Sequence, residues 1–414
     1  MSTSDHYDAL DDFAGPGGWD QGARLIGLRL FGVDHDHAAC QTAQAAGHER
    51  ETADVTTHPS PAWARGRGLV SSPSCTLFSM AGSGVGRLVL DPLADGIRDI
   101  LRGQDPATVR TRTRDAIFPV ALAEAQRGNA KRKAPLELEK VAEKAQEDAK
   151  IAALVLEPAR RIVELDPEWV ALEQVPEVLP LWQVYKHELR AQGWSCFALV
   201  LNAADYGVPQ TRRRAIFGAH RTRAIAPPPP THAEHPQDDD LFGDSLRKWV
   251  CMADALGWGW EDEPSCTVSS GGTAAGGAEP FANAEYRRRL RDYVVDRRTN
   301  SKAAGGSMAP TVTVPVTRPA PTLTGKAGTQ WVIRPSQQWI TGRPVTVSVA
   351  EAGVLQSFPP DYRWQGSKSK QYEQVGNAIP PLFAAHVLAA IAGRTVPSAE
   401  TANAVCTART ELAA

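Results

Sequence analysis

The sequence predicts an α/β protein: a Rossmann-like parallel sheet with helices on both faces, joined to a smaller, irregular domain. Three observations predict it. Short apolar strands alternate with helices of about ten residues, the signature of βαβ units. A glycine-rich turn, Gly15-Pro16-Gly17-Gly18, separates the first strand from the first helix. A proline run, Pro227 to Pro230, ends the α/β pattern, and beyond it Gly, Thr and Pro abound while periodicity is poor.

Tyr7 to Phe13 reads as the first strand and Trp19 to Leu28 as the first helix. Leu30 to Asp34 is the second strand, His37 to Ala46 the second helix, Asp54-Val55 the end of a third unit, and Leu69 to Ser72 a fourth strand. Residues 84–165 are rich in charge and helix formers. Lys131-Arg132-Lys133 and the stretch Leu136 to Lys150 read there as a solvated surface insertion. The α/β pattern resumes with a strand at Trp169 to Glu173, a helix at Glu177 to Gln192, and strands at Ser195 to Leu201 and Arg214 to Ala219. Val345 to Gln356 and Pro381 to Ile391 return to helical patterns, and the Ala/Thr-rich tail from Arg394 lacks periodicity and is expected to fray.

Composition narrows the function classes. With 414 residues and 42% hydrophobic content there is material for one large and one smaller core. Apolar runs are too short to span a bilayer, and no signal-peptide pattern precedes Asp5, so a cytoplasmic protein without a membrane is expected. Six cysteines, Cys40, Cys75, Cys196, Cys251, Cys266 and Cys406, show neither C-x-x-C pairs nor metal-ligand spacing, so no metal is expected. At a net charge of −2, a nucleic-acid partner would have to meet a local basic surface.

Three segments carry chemistry. The Gly15–Gly18 turn places backbone N–H groups and a helix N-terminus where a polar cofactor group binds, but Asp20 replaces the third glycine of a dinucleotide fingerprint. Asp34, ending the second strand, is placed to accept from a ribose hydroxyl, and Asp54 from an adenine amine. Cys75 follows an apolar run broken by Pro73-Ser74, which delivers a thiol to the rim of the sheet. Glu173 ends a later strand and faces the same cleft, because ligands bind outside the carboxyl ends of strands in such sheets. Arg212 and Arg214, two apart on an extended chain, are expected to point toward one partner.

In order, Phe13-Ala14-Gly15-x-Gly17-Gly18, Pro73-Ser74-Cys75, Glu173-Gln174-Val175, Gln210-x-Arg212-x-Arg214 and Gln374-Val375-Gly376-Asn377-Ala378 resemble the motifs of the DNA (cytosine-5)-methyltransferase family. Leu355-Gln356-Ser357-Phe358-Pro359-Pro360-Asp361-Tyr362 is also typical, and the similarity runs from about residue 7 to 392. The resemblance implies a class I methyltransferase sheet. It also implies S-adenosylmethionine bound by Phe13, Ala14, Gly15, Gly17, Gly18, Asp34, Asp54, Pro73 and Asn377, and a flipped cytosine in duplex DNA as substrate. Cys75 would be the thiolate that adds to cytosine C6, Glu173 the partner of N3 and the exocyclic amine, and Arg214, with Arg212, the contact to O2. The loop from Ser79 to Gly84 would close as a lid. Ser79, Gln210, Arg287, Arg288, Arg289 and Arg291 would meet DNA.

Implied boundaries are residues 1–224 for the first part of the catalytic domain, 225–340 for target recognition, 341–393 for the return, and 394–414 for the tail. A monomer is expected. Two departures stand out: Ser74 replaces the second proline of the usual Pro-Pro-Cys, and Gln174 the asparagine of the usual Glu-Asn-Val. They suggest one alternative, a catalytically silent DNA-binding regulator, and the same chemistry on RNA is a second alternative left open.

Overall fold

The computed structural model describes residues 7–79, 84–236, 246–256, 293–297, 312–322, 331–335 and 347–398. Its centre is a seven-stranded sheet. In chain order the strands are β1 (Ala9–Asp12), β2 (Leu30–Asp34), β3 (Glu49–Thr52), β4 (Gly68–Ser71), β5 (Trp169–Gln174), β6 (Ser195–Asn202) and, after the short β7 (Gln210–Thr211), β8 (Arg213–His220). The spatial order is β3-β2-β1-β4-β5-β8-β6. Strands β3, β2, β1, β4 and β5 pair in parallel, and β8 runs antiparallel to β5, with Glu173 opposite Ile216 and Gln174 opposite Ala215. Strands β1, β4 and β5 are buried on both faces, as parallel strands under helical layers are. The sheet is thus mostly parallel, as expected, with β8 running against β5. No α-helix lies between β6 and β8, which are neighbours in the sheet, and a strand needs a crossover connection to run parallel to the one before it.

Helices α1 (Gly18–Leu25), α2 (His37–Ala45), α7 (Glu157–Leu165) and α8 (Leu179–Ala191) alternate with these strands. Between β4 and α7 lie α3 (Val85–Leu88), α4 (Leu90–Leu101), α5 (Pro106–Ala130) and α6 (Leu138–Ala152). The reading of Leu136 to Lys150 as a merely solvated helix is corrected. Val141, Ala145, Ala149 and Ala152 of α6 are buried in one core with Ile117, Ala121 and Ala125 of α5, at helical spacing. The pair is therefore an antiparallel helical hairpin with one apolar seam.

Polar groups also sit inside this unit. Asp11, Gly32 and Arg50 are register partners across β1, β2 and β3 and share one face of the sheet. A Cβ on Gly32 would lie 1.1 Å from the Arg50 Nη1, so only glycine lets this guanidinium cross β2 to reach Asp20 of α1 at 2.8 Å. Asp12 and Arg161 form a second ion pair with both side chains wholly buried (2.8 Å). The Arg161 guanidinium also donates to the Ser60 hydroxyl at 2.8 Å.

The chain divides into two compact units. One comprises Met1–Leu201, Arg213–Pro228 and Val387–Val396, and the other Asn202–Arg212, Pro229–His386 and Pro397–Ala414. In the second, Tyr293–Arg297 pairs antiparallel with Val312–Pro315 and with Trp331–Pro335, and β7 pairs in parallel with Ala320–Pro321. Ser348 and Glu351 form a capping box that starts the helix Val349–Leu355. The helices Lys368–Asn377 and Pro381–Ala392 follow, and the latter carries the chain back into the first unit. Lys368–Ala392 is apolar enough by length and composition to cross a membrane, but 83% of its most apolar window is buried inside the protein.

Candidate active site

The carboxyl ends of β1, β2, β4 and β5 carry the candidate site, and local sequence explains how each end is shaped. After β1 the chain turns through Phe13 (φ 59°) and Gly15 (φ 53°), then through Gly17 (φ 102°), which caps α1. A left-handed phenylalanine is uncommon, and its persistence marks a turn over-determined by its surroundings. Asp34, at the end of β2, explains part of that constraint. Its Oδ2 accepts the Gly15 N–H and its Oδ1 the Asp36 N–H, both at 2.8 Å. The side of Gly15 where a Cβ would stand is open, with no atom within 4 Å. Backbone amides, an α1 N-terminus and a mostly buried carboxylate therefore converge beside open space. That set fits the sulfonium nucleoside expected there, with Asp34 keeping lone pairs for a diol. Asp54 is exposed after β3, and its carboxylate accepts from the Thr56 N–H and hydroxyl, both at 2.8 Å.

Register brings the other two ends together. Ser71 of β4 is the partner of Leu172 on β5. Glu173 therefore lies one residue past that rung, and Pro73-Ser74-Cys75 emerges beside it. Gln174 ties the two ends. Its Nε2 donates to the Pro73 carbonyl and its Oε1 accepts the Val175 N–H, each at 2.5 Å, with Gln174 and Pro73 both buried. Ser74 Oγ lies 2.9 Å from Thr76 Oγ1 and 3.5 Å from the Thr76 N–H, so a serine turn shapes the backbone where the family places proline. Trp19 of α1 adds a brace, donating its Nε1–H to the Ser72 hydroxyl at 2.8 Å.

Cys75 is half-buried at this turn, its carbonyl accepting the N–H groups of Phe78 and Ser79 at 3.0 Å. It is less buried than Cys40 and Cys196 of the same unit. Burial raises the Cys40 thiol above the ordinary cysteine value and pushes that of Cys196 up to about 12, so both are held as inert thiols. Glu173, 6% exposed, pairs through Oε1 with Arg214 Nε at 2.8 Å. The antiparallel pairing of β8 is what sets Arg214 beside the Glu173 end of β5.

Arg212 and Gln210 are corrected. The chain breaks strand geometry at Arg212, between β7 and β8, so its alternation with Arg214 is not continuous. Arg212 is 1% exposed and donates through Nη1 to the Gly376 carbonyl at 3.0 Å. Gln210 is fully buried, with Nε2 toward the Leu355 carbonyl at 3.4 Å, and presents no surface to DNA. Both brace the second unit. Asn377 is exposed at the end of its helix in that unit. Ser79 is half-buried beside the Cys75 turn. Met80–Ser83 of the expected lid, and Arg287, Arg288, Arg289 and Arg291, lie outside the described residues. The extra methylene of Gln174 put backbone bracing there in question, yet Gln174 braces both strand ends, and Trp19 as a prop was not foreseen. A polar residue ending an otherwise apolar strand was the one available signal for Gln174. Among the described residues, no group of three or more His, Cys, Asp or Glu could hold a metal ion.

The family model for C-5 cytosine-specific DNA methylase matches residues 140–393. The chain belongs to this family. Type II methyltransferase M1.HphI of Haemophilus parahaemolyticus is 28% identical over 209 residues, 48% of this chain and 48% of its own. M.XorII of Xanthomonas oryzae pv. oryzae is 29% identical over 205 residues, covering 45% and 47%. The chain thus spans about half the length of the curated relatives it matches. A crystal structure of S. pombe Dnmt2 methyltransferase covers 93% of this chain and 98% of its own, at 13% identity and a TM-score of 0.47. In this methylase-family chain, the strand ends that bear Cys75 and Glu173 are neighbours joined by one glutamine.

Proposed function

We propose that the chain is a cytoplasmic DNA (cytosine-5)-methyltransferase that acts on a flipped cytosine at a short duplex sequence. The observation that carries this reading is the pairing of β4 and β5, which brings the strand end leading to a half-buried thiol next to the strand end whose carboxyl is paired with the half-buried Arg214 guanidinium. Cytosine C5 is a weak nucleophile. Attack of the Cys75 thiolate on C6 turns the ring into an enamine whose C5 is electron-rich. Glu173 would hold N3 and the exocyclic amine and supply a proton to N3 as negative charge grows there. Arg214 keeps the Glu173 carboxyl in one orientation and adds positive potential toward O2. Loss of the C5 proton and expulsion of Cys75 restore the aromatic ring.

S-Adenosylmethionine, held by the Phe13–Gly18 turn with Asp34 and Asp54, would supply the electrophilic methyl group. The amides of that turn and the α1 N-terminus orient polar groups, while buried Ala14 and Pro73 limit water around them. None of these side chains reaches a base stacked in a duplex, so the target must swing out of its helix.

The test is transfer of a tritiated methyl group to duplex DNA and to transfer RNA by the full chain. Label in DNA C5 supports the reading, label confined to RNA replaces the substrate, and label in neither leaves a silent binding protein.

A further inference from the structure

We propose that the tip of the α5–α6 hairpin is a second DNA contact, gripping the phosphate backbone that flanks the target base. This rests on duplex DNA being the substrate.

The hairpin's reach follows from its packing. A Cβ on Gly96, mid-way along α4, would meet Thr113 Oγ1 of α5 at 2.7 Å, which fixes the height at which the two helices cross. The α4–α5 connection is short, so α5 runs back along α4 and passes the start of α4, Leu90, near residue 119. That start is at the carboxyl edge, because the Gly86 N–H donates to the Leu77 carbonyl, two residues beyond Cys75, at 3.1 Å. From there to Ala130 is eleven residues, so the tip reaches up to about 16 Å past the level of Leu90.

The tip is ordered and basic. Asn129 closes it, donating through Nδ2 to the Leu136 carbonyl at 3.0 Å and accepting the Leu136 N–H at 2.7 Å. A cavity of about 280 Å³ opens beside it, lined by Arg127, Lys131, Arg132 and Lys144 among others. Arg127 is neutralised by Glu124 and Lys144 by Asp148. Lys131, Arg132 and Lys133 are exposed, and no carboxylate among the described residues pairs with them. Three adjacent unneutralised cations on a braced loop, on the side where the base must enter, match a row of phosphates. Glu137 just before α6, and Glu139 and Glu143 on it, flank Lys140, so the run of adjacent cations ends with the loop.

The experiment compares the parent chain with the triple variant Lys131→Ala, Arg132→Ala, Lys133→Ala, binding a mixed-sequence linear duplex across a salt titration. Each phosphate contact contributes about 0.9 to the slope of log affinity against log salt. Loss of two or three contacts flattens that slope by roughly 2 to 3. Between 50 and 200 mM salt, the parent then loses roughly 10- to 40-fold more affinity than the variant. The control Lys150→Ala, on α6 away from the tip, leaves the slope within error, and thermal melting shows that all variants are folded. Equal slopes for parent and triple variant overturn the hairpin contact and leave the proposed activity standing. A parent chain that binds no DNA overturns both.

Discussion

Replacing Gln174 by leucine tests whether the β4–β5 tie holds the thiol in place. Leucine keeps nearly the same volume, so packing is conserved and the loss is polar. The Pro73 carbonyl and the Val175 N–H each lose a buried partner now held at 2.5 Å. A stranded buried backbone group costs about 1–3 kcal/mol, so the two together should cost about 2–4 kcal/mol after local relaxation. Denaturant unfolding would show this as a lower midpoint at unchanged slope. The functional effect should exceed the stability effect, because a misplacement of about 1 Å at a reacting atom costs on the order of a hundredfold in rate. Single-turnover methyl transfer under conditions where the variant is folded separates the two. Gln174→Asn, shorter by one methylene, should lose most of that rate, and adding Ser74→Pro, which rebuilds the usual motif pair, should restore part of it. A Gln174→Leu variant within about 0.5 kcal/mol of the parent, with an unchanged transfer rate, would refute the reasoning.

Other perturbations act on separate parts of the fold. Arg214→Ala leaves the largely buried Glu173 without its cation, and should cost about 3–5 kcal/mol by denaturation. Arg214→Lys should recover only part, since an ammonium does not reproduce the guanidinium's directed N–H groups. Gly32→Ala pushes a methyl into the Arg50 guanidinium and should lower stability by about 1–3 kcal/mol or abolish soluble expression. Asp11 is wholly buried, and desolvation, with Asp20 next, raises its pKa well above the aspartate range. The folded state therefore keeps a proton that the unfolded chain releases above pH about 4. Its contribution is fully present below that pH and fades as pH rises through the folded value. Asp11→Asn should accordingly remove this decline, so that its stability relative to the parent improves from pH 5 to 8 in a melting series.

Much of this fold could be read from local pattern. Leu30 to Asp34 is the second strand as read, and the Gly15–Gly18 turn sits between β1 and α1, because strand alternation and glycine-permitted dihedrals are local properties. The antiparallel course of β8 was not legible, since it depends on β8 inserting between β5 and β6, a pairing of strands distant in sequence. Pro119 sits inside the 25-residue α5 on its exposed side. Water can satisfy the carbonyl it frees there, so a local helix-breaking signal does not break the helix. At the site, Cys75 and Glu173 were legible because their residue types and strand-end positions announce chemistry. Arg212 misled, because two residues of spacing imply a shared face only where the strand is unbroken. The Gln174–Pro73 and Arg161–Asp12 contacts join positions about a hundred or more residues apart, and no local signal encodes such a meeting.

The most direct measurement is denaturing electrophoresis of the full chain after incubation with S-adenosylmethionine and duplex DNA containing 5-fluorocytosine. Fluorine at C5 cannot leave as a proton does, so a thiol that has attacked C6 stays attached. The account predicts a DNA-linked band for the parent chain and none for Cys75→Ala, with Cys40→Ala and Cys196→Ala behaving like the parent. A linked band that persists without Cys75 would contradict the account at its root.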